Sequence, residues 1–193
     1  MRDSNTGCSR QKNRACAFLR RLALLASVLQ VTGCALFGVR LLDESWEPAN
    51  VQTAYGMHAP LGSPMMSSAD ASPFFYPFES LISTTSSGGF VSRIEETSIG
   101  IAYSLAGSQS LFDNRPWIYA GVGLSLIQGE FSDGVLEEKG SALGGYVHCG
   151  VWRVQGGVIG VEVRYSFGAS MDLLGAERSA DGLQLALAVM FAN

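Results

Sequence analysis

Charged side chains are scarce in this chain of 193 residues, at 16% of the total against 47% apolar residues. They are also unevenly distributed, because the first 33 residues carry an excess of arginine and lysine with Asp3 as the single acid. The remainder is therefore strongly acidic, and its negative charge repels phosphate backbones. This distribution excludes nucleic acid as a partner.

Long apolar runs are missing after residue 34, where no stretch reaches the roughly 18 residues that a membrane-spanning helix requires. If the mature chain crosses a bilayer, it must do so with strands. Cysteine is also rare, and two of the four, Cys8 and Cys16, lie in the basic leader. A disulfide framework is therefore excluded. The sequence has no Cys or His pair at metal-ligand spacing and no glycine-rich turn that leads into a helix, so it predicts no metal, nucleotide or other cofactor.

The N-terminal segment has the layout of a secretory signal, with a positive region that ends at Arg21, an apolar stretch and then small residues. Its last residues, Val31 to Cys34, resemble the lipobox of bacterial lipoproteins, in which the cysteine is lipidated and becomes the mature N-terminus. The resemblance implies a signal peptide over 1–33, lipidation of Cys34 and, with Ala35 after the cysteine, sorting to the outer membrane. An ordinary cleaved signal and a transmembrane anchor are the alternatives.

Alternation at period two dominates the chain after Cys34 and predicts an all-β domain over 34–193. In the segment 182–191 one face carries Leu183, Leu185 and Leu187, while the other face is small or mildly polar. In several strands, one face carries large apolar side chains and the other carries glycine, alanine and serine. A soluble sandwich needs a charged outer face, whereas small residues suit the crowded interior of a narrow membrane barrel.

The pattern predicts an antiparallel up-and-down transmembrane β-barrel of about eight strands, with six or ten as alternatives. The candidate strands cover 36–42, 51–58, 73–84, 96–105, 116–128, 141–153, 158–168 and 182–191. The third is interrupted by Pro73 and Pro77, each of which removes a ladder donor. The loops 43–50, 85–95, 129–140 and 169–181 are predicted to face outward and to hold most of the acidic residues. The connections 59–72, 106–115 and 154–157 are predicted to face the periplasm.

The C-terminal half, over about 96–193, resembles the small eight-stranded outer-membrane barrels, the family of the membrane domain of outer membrane protein A and of the opacity and W-type surface proteins. The segments that carry the resemblance are the glycine-rich 119–124, the strand 160–165 and the terminal aromatic Phe191. The resemblance implies that Phe191 is part of the signal read by the barrel assembly machinery, and that outer-membrane lipids surround the protein.

Polar side chains on the inward face are predicted to form a buried ionic network, because charges in a confined interior need partners. By alternation these residues are Arg40, His58, Glu79, His148, Glu162, Arg164 and Gln184. A sharper alternative makes His148 catalytic, with Ser125 and Glu162 on neighbouring strands, in a lipid A hydrolase or acyltransferase.

Two further residues have simpler interpretations. Cys149 alternates with Val147 and Val151 on the lipid face, where a thiol acts as a small hydrophobe. Trp46 in the first outward loop is interpreted as part of an interfacial aromatic girdle, with an adhesive loop residue as the alternative.

The functional hypothesis is a non-enzymatic surface protein of the outer membrane, with a structural or binding role through acidic outer loops and no identified loop ligand. A narrow porin-like pore ranks lower, because filled eight-stranded interiors leave no aqueous channel. A periplasmic lipoprotein with a lipocalin-like barrel and a lipid A-modifying enzyme are further alternatives.

Overall fold

A computed structural model describes residues 34–61, 73–105, 116–154 and 158–190. Eight long strands close into an antiparallel barrel, and two short strands form a separate hairpin. The strands are β1 Cys34–Leu42, β2 Val51–Leu61, β3 Phe74–Ser87, β4 Phe90–Ser104, β5 Trp117–Ser132, β6 Glu137–Val154, β7 Val158–Phe167, β8 Ser170–Leu173, β9 Ala176–Ser179 and β10 Gly182–Met190. The predicted fold class is confirmed. The predicted signal peptide over 1–33 lies outside the described residues.

Neighbouring strands follow one another around the barrel, and β10 closes it against β1 with Ala35 opposite Val189 and Leu42 opposite Gly182. The connections 43–50, 88–89, 133–136 and 168–181 lie at one end, which we call the loop end. The start of β1 and the last residues of β10 lie at the other, which we call the terminal end. A single 3-10 turn, Glu44–Trp46, follows β1. Within the described ranges, no helix has the length and apolar character needed to span a membrane.

Alternation along each strand separates an apolar outside from a polar inside. The outward positions carry large apolar side chains such as Phe37, Leu124 and Leu143, the last of which is 75% exposed. The charged residues on the outer wall lie only near the two ends of the described strands, for example Arg93 at the loop end and Arg153 at the terminal end. A shift of one residue in register would exchange the two faces of a strand, so this pattern fixes the pairing.

Some strands extend further than the sequence indicates. The predicted loop 85–95 shrinks to a two-residue turn, because Gly88 and Gly89 both adopt positive φ, at 59° and 87°, as a tight hairpin requires. β3 also runs through Pro77 without a break. Pro77 lies opposite Pro60 of β2, and the pairing of β3 with β4 passes from Phe75 to Phe78, so the missing donor interrupts the ladder only locally.

The interior has three layers. At the terminal end lies an aromatic plug built around Phe75, Trp117, Tyr119 and Trp152. At the loop end lies an apolar cap, which strands and loops build together from Leu42, Trp46, Ala49, Ile94, Ile127, Phe131, Ala169, Met171, Leu173 and Ala180. Between them lies a layer of charged side chains, which we call the ionic layer.

Candidate functional site

In the described part of the chain, the ionic layer is where ionisable side chains lie closest together. Its charged and imidazole side chains come from six strands and are all buried. They are Arg40 of β1, His58 of β2, Glu79 of β3, Glu96 of β4, His148 of β6, and Glu162 and Arg164 of β7. Because β-strand side chains alternate, these residues share the inward parity of their strands, and barrel closure brings them together.

One half of the layer is an arginine–carboxylate network centred on Glu96. Nη1 of Arg40 lies 2.7 Å from one oxygen of Glu96, and Arg164 donates to the other oxygen. Arg164 also forms an ion pair with Glu79 and donates to the hydroxyls of Ser98 at 3.1 Å and Ser125 at 2.9 Å. Such charge-assisted contacts offset the cost of removing these ions from water.

The other half contains two imidazoles and two carboxylates. Nδ1 of His58 lies 2.9 Å from Oε1 of Glu79 and 3.3 Å from Oε2 of Glu162. Nδ1 of His148 lies 3.5 Å from the same Glu79 oxygen and 3.7 Å from Oε1 of Glu162. The hydroxyl of Tyr119 donates to Glu162. Both imidazoles therefore point at the same pair of carboxylates.

Glycines of β5 make room for this half of the layer. A Cβ atom on Gly121 would lie 2.4 Å from Nε2 of His148, and one on Gly123 would lie 2.4 Å from the ring of Tyr146. That ring in turn lies beneath the guanidinium of Arg164, 3.6 Å from it. The glycine-rich segment of β5 is therefore needed for close approach of the rings that line the ionic layer.

The structure brings together six of the seven residues that the sequence places in an interior network, and the seventh, Gln184, is also buried. The six are Arg40, His58, Glu79, His148, Glu162 and Arg164. Arg164 pairs with Glu79, whereas Glu162 faces the two imidazoles. Glu96 was missed because the fourth strand was predicted to begin at that residue. The alternation Ser92, Ile94, Glu96, Ser98 continues upstream and could have placed it inside.

The catalytic alternative for His148 finds little geometric support. Nδ1 of His148 faces the carboxylates of Glu79 and Glu162. Within the described ranges, neither ring nitrogen has a hydrogen-bonded hydroxyl. The hydroxyl of Ser125 accepts from Arg164. The serine and the imidazole are thus engaged in different halves of the layer.

Four other sequence predictions concern residues outside the ionic layer. Cys34 is the first residue of β1, and its buried side chain joins the aromatic plug, so a lipid on this sulfur would require the start of β1 to leave the interior. Cys149 is exposed on the outer wall, as predicted. Phe191, the predicted assembly signal, lies outside the described residues. The girdle interpretation of Trp46 is wrong, because its ring is fully buried in the apolar cap.

Loops at the loop end are ordered by short polar contacts. Oδ1 of Asp133 accepts from the backbone N–H groups of Val135 at 2.9 Å and Leu136 at 2.8 Å, and these bonds hold the pKa of that carboxyl below its ordinary value. The side chain of Asp43 accepts from the N–H of Ser45, which lowers its pKa in the same way. These carboxylates are therefore structural caps of the turns in which they lie.

Comparison with known proteins gives one kind of match. No family model matches the chain, and no curated protein matches it. Among solved structures, it is similar to the crystal structure of Neisserial surface protein A (NspA), with a TM-score of 0.56 and 10% sequence identity over 82% of this chain and 92% of that one. At this identity the likeness concerns the fold, and it supports a barrel of the outer-membrane type.

Proposed function

We propose that the chain is a non-enzymatic surface protein of the bacterial outer membrane, an integral barrel whose loop end faces outward and whose acidic loops bind cationic partners. The observation that carries the proposal is an apolar outer wall around an interior that is filled from end to end. Such a body presents polar groups to a macromolecular partner at its ends.

The outer wall supports the membrane location. Every strand of the barrel carries large apolar side chains whose exposed fractions are near one half, from Phe37 of β1 to Leu187 of β10. Soluble monomers rarely expose contiguous apolar patches larger than a few hundred Å². A closed barrel also satisfies its backbone groups internally, as a strand protein in lipid must.

The filled interior favours a binding or structural role over a pore. The aromatic plug, the ionic layer and the apolar cap follow one another along the axis, and each contains fully buried large side chains such as Trp117, Arg164 and Trp46. The same filling opposes a lipocalin-like ligand cavity.

The loop end offers a negatively charged surface. The acidic residues there are Asp43, Glu44, Glu47, Glu95, Glu130, Asp133, Glu137, Glu138, Asp172, Glu177 and Asp181, against the basic residues Arg93, Lys139 and Arg178. A surface with this excess attracts cationic groups and repels anionic ones. We therefore expect its partner to present lysine, arginine or another cation.

Fractionation of cell envelopes tests the location. We expect the protein in the outer-membrane fraction, with a gel mobility that changes on boiling because a closed barrel resists unfolding in detergent. Recovery in buffer without detergent would contradict an integral barrel. In planar bilayers we expect no steady conductance steps, and their appearance would contradict the filled interior.

Mass spectrometry of the mature protein tests lipidation, which we propose only as an addition to the barrel. A diacylglyceryl modification on Cys34 that disappears in Cys34→Ser would establish it. An unmodified thiol, or cleavage elsewhere, would agree with the buried position of this side chain. Binding of a cationic peptide, weakened when Glu137 and Glu138 are both changed to Gln, tests the acidic loops.

A further inference from the structure

We propose that His58, Glu79, His148 and Glu162 form a binding site for a divalent transition metal of the zinc class, enclosed inside the barrel. The sequence contains no sign of it, because its two histidines lie far apart in the chain and on strands β2 and β6. The site arises only when the sheet closes.

Three of the four candidate ligands, His58, Glu79 and Glu162, have ligand atoms whose separations fit one shared cation, and His148 approaches the same two carboxylates. One ligand atom from each of His58, Glu79 and Glu162 can be chosen so that all lie within 4.8 Å of one another. The four contacts from the imidazole Nδ1 atoms to the carboxylate oxygens measure 2.9, 3.3, 3.5 and 3.7 Å. For zinc bonds of about 2.0–2.1 Å in a tetrahedron, neighbouring ligand atoms are about 3.3 Å apart. The separations of the two Nδ1 atoms from the shared Glu79 oxygen, 2.9 and 3.5 Å, bracket that value, while the two imidazoles approach different oxygens of Glu162.

The unpaired polar atoms of these side chains support the same conclusion. Both nitrogens of His58 and of His148, and Oε1 of Glu79, are buried without a hydrogen-bond partner in the described part of the chain. Nδ1 of His58 is close to Glu79 but forms no hydrogen bond with it. Unpaired buried polar atoms are costly. A shared metal ion would satisfy both Nδ1 lone pairs and the free oxygen together.

The charge distribution also leaves a place for a cation. Glu79 and Glu96 each pair with a guanidinium, whereas the only basic groups within ion-pair distance of Glu162, among the described residues, are the two imidazoles. A buried carboxylate without a permanent cation is expensive. A divalent ion between Glu79 and Glu162 would place a permanent cation beside Glu162.

The surroundings hold the two carboxylates in place. Arg164 and Ser98 contact the second oxygen of Glu79, and Tyr119 donates to Glu162. Partners of this kind orient metal ligands and are often as important as the ligands themselves. Two imidazole nitrogens with two carboxylate oxygens favour zinc and its transition-metal neighbours over calcium or magnesium, which prefer oxygen alone.

Refolding with and without metal tests the proposal. The full-length chain is unfolded in denaturant with a chelator and refolded into detergent with Zn²⁺ or without it, and the bound metal is then measured by elemental mass spectrometry. We expect one Zn²⁺ per chain when the ion is present during refolding. We expect far slower uptake when it is added to the folded barrel, because the plug and the cap enclose the site. Co²⁺ in place of Zn²⁺ should give the intense visible bands of a tetrahedral site.

A matched pair of variants provides the control. Glu162→Gln and Glu96→Gln make the same change at buried carboxylates of one layer, but only the first removes a proposed ligand. We expect Glu162→Gln and His148→Gln to lower zinc affinity at least tenfold, with Glu96→Gln close to the original protein. The heat-dependent gel shift checks that each variant is folded.

Three outcomes would overturn the proposal: little zinc after refolding in its presence, equal losses in Glu162→Gln and Glu96→Gln, or zinc binding that neither ligand variant alters. The last outcome would mean that acidic surface groups hold the ion. X-ray absorption at the zinc edge needs no variant, and a first shell without imidazole nitrogen would also contradict the site.

Discussion

The ionic layer and the apolar cap occupy adjacent parts of one interior, but they are built in opposite ways. Every charged member of the ionic layer lies on a long strand, whereas the cap takes Trp46, Ala169, Met171 and Leu173 from loops and the short hairpin β8–β9. Strand parity alone decides which residues enter the ionic layer. Chain folding beyond the strands decides which residues enter the cap.

The two regions also differ in how they are stabilised. The cap gains from burial of apolar area, which tolerates small changes in shape. The ionic layer consists of buried ions whose attraction must offset a large desolvation cost, so it depends on every partner. The comparison therefore predicts that truncation of one side chain lowers the free energy of unfolding more in the ionic layer than in the cap.

The largest effect is expected for Arg164→Ala, which leaves Glu79 without a guanidinium and leaves Glu96 with Arg40 alone. Breaking a buried ion pair by removing one member costs about 3–5 kcal/mol, and urea unfolding of the barrel in lipid vesicles measures it. Arg93→Ala removes an exposed pair with Glu95, whose side chains are 47% and 45% exposed, and serves as the control. We expect that control to change the free energy of unfolding by less than about 1 kcal/mol. Equal effects would mean that the interior charges are well solvated.

A smaller effect is expected for Trp46→Ala in the cap. Trp46 packs against Phe131 with ring centroids 6.0 Å apart, and its indole N–H donates to the carbonyl of Ser179. Its loss should destabilise the barrel by about 3 kcal/mol, at the low end for a buried tryptophan because loops can collapse onto the gap. Trp46→Phe should recover part of this loss. Faster protease cleavage within 168–181 in Trp46→Ala would locate the damage, and unchanged cleavage would contradict a closing role.

In the aromatic plug, Gly160→Ala should destabilise the barrel less than Trp46→Ala does. A Cβ atom there would lie 2.1 Å from Cδ1 of the buried Trp152 ring. Overpacking of this kind costs about 1–3 kcal/mol. The double variant with Trp152→Ala removes Cγ and Cδ1, the ring atoms nearest to the added Cβ, and should be less destabilised than the sum of the two single changes. Additive losses would show that the ring moves freely.

The smallest effect concerns pH at the loop end. Because the folded pKa of Asp133 is lowered, the stability that its turn gains is present above the ordinary aspartate pKa and is lost as the pH falls through the lowered value. Amide NMR shifts of Val135 and Leu136 should therefore titrate below the ordinary aspartate range, and Asp133→Asn should abolish the titration. A midpoint at or above the ordinary range would contradict the capping role.

Much of the barrel follows from the sequence, since alternation predicts the eight strands and places residues such as Arg40 and Glu162 inside. Register and strand ends depend on more than parity, which is why Glu96 was overlooked and why the turn at Gly88 and Gly89 was predicted as a long loop. The convergence of His58 and His148 is a consequence of closure and shear. Trp46 was misassigned because the same aromatic pattern suits a lipid interface and a loop that folds inward.

The contacts of the ionic layer span large distances along the chain. Arg40 contacts Glu96 across 56 residues and the carbonyl of Ala180 across 140, while Arg164 reaches back 68 residues to Glu96. Neither ion pair of Glu96 joins neighbouring strands, because Glu96 lies on β4 and its partners lie on β1 and β7. An open sheet cannot form these two pairs, and contacts this distant in sequence form slowly. We expect closure of β1 on β10 to be a late and cooperative step, in which the buried ion pairs form together. A partly closed sheet should be scarcely populated.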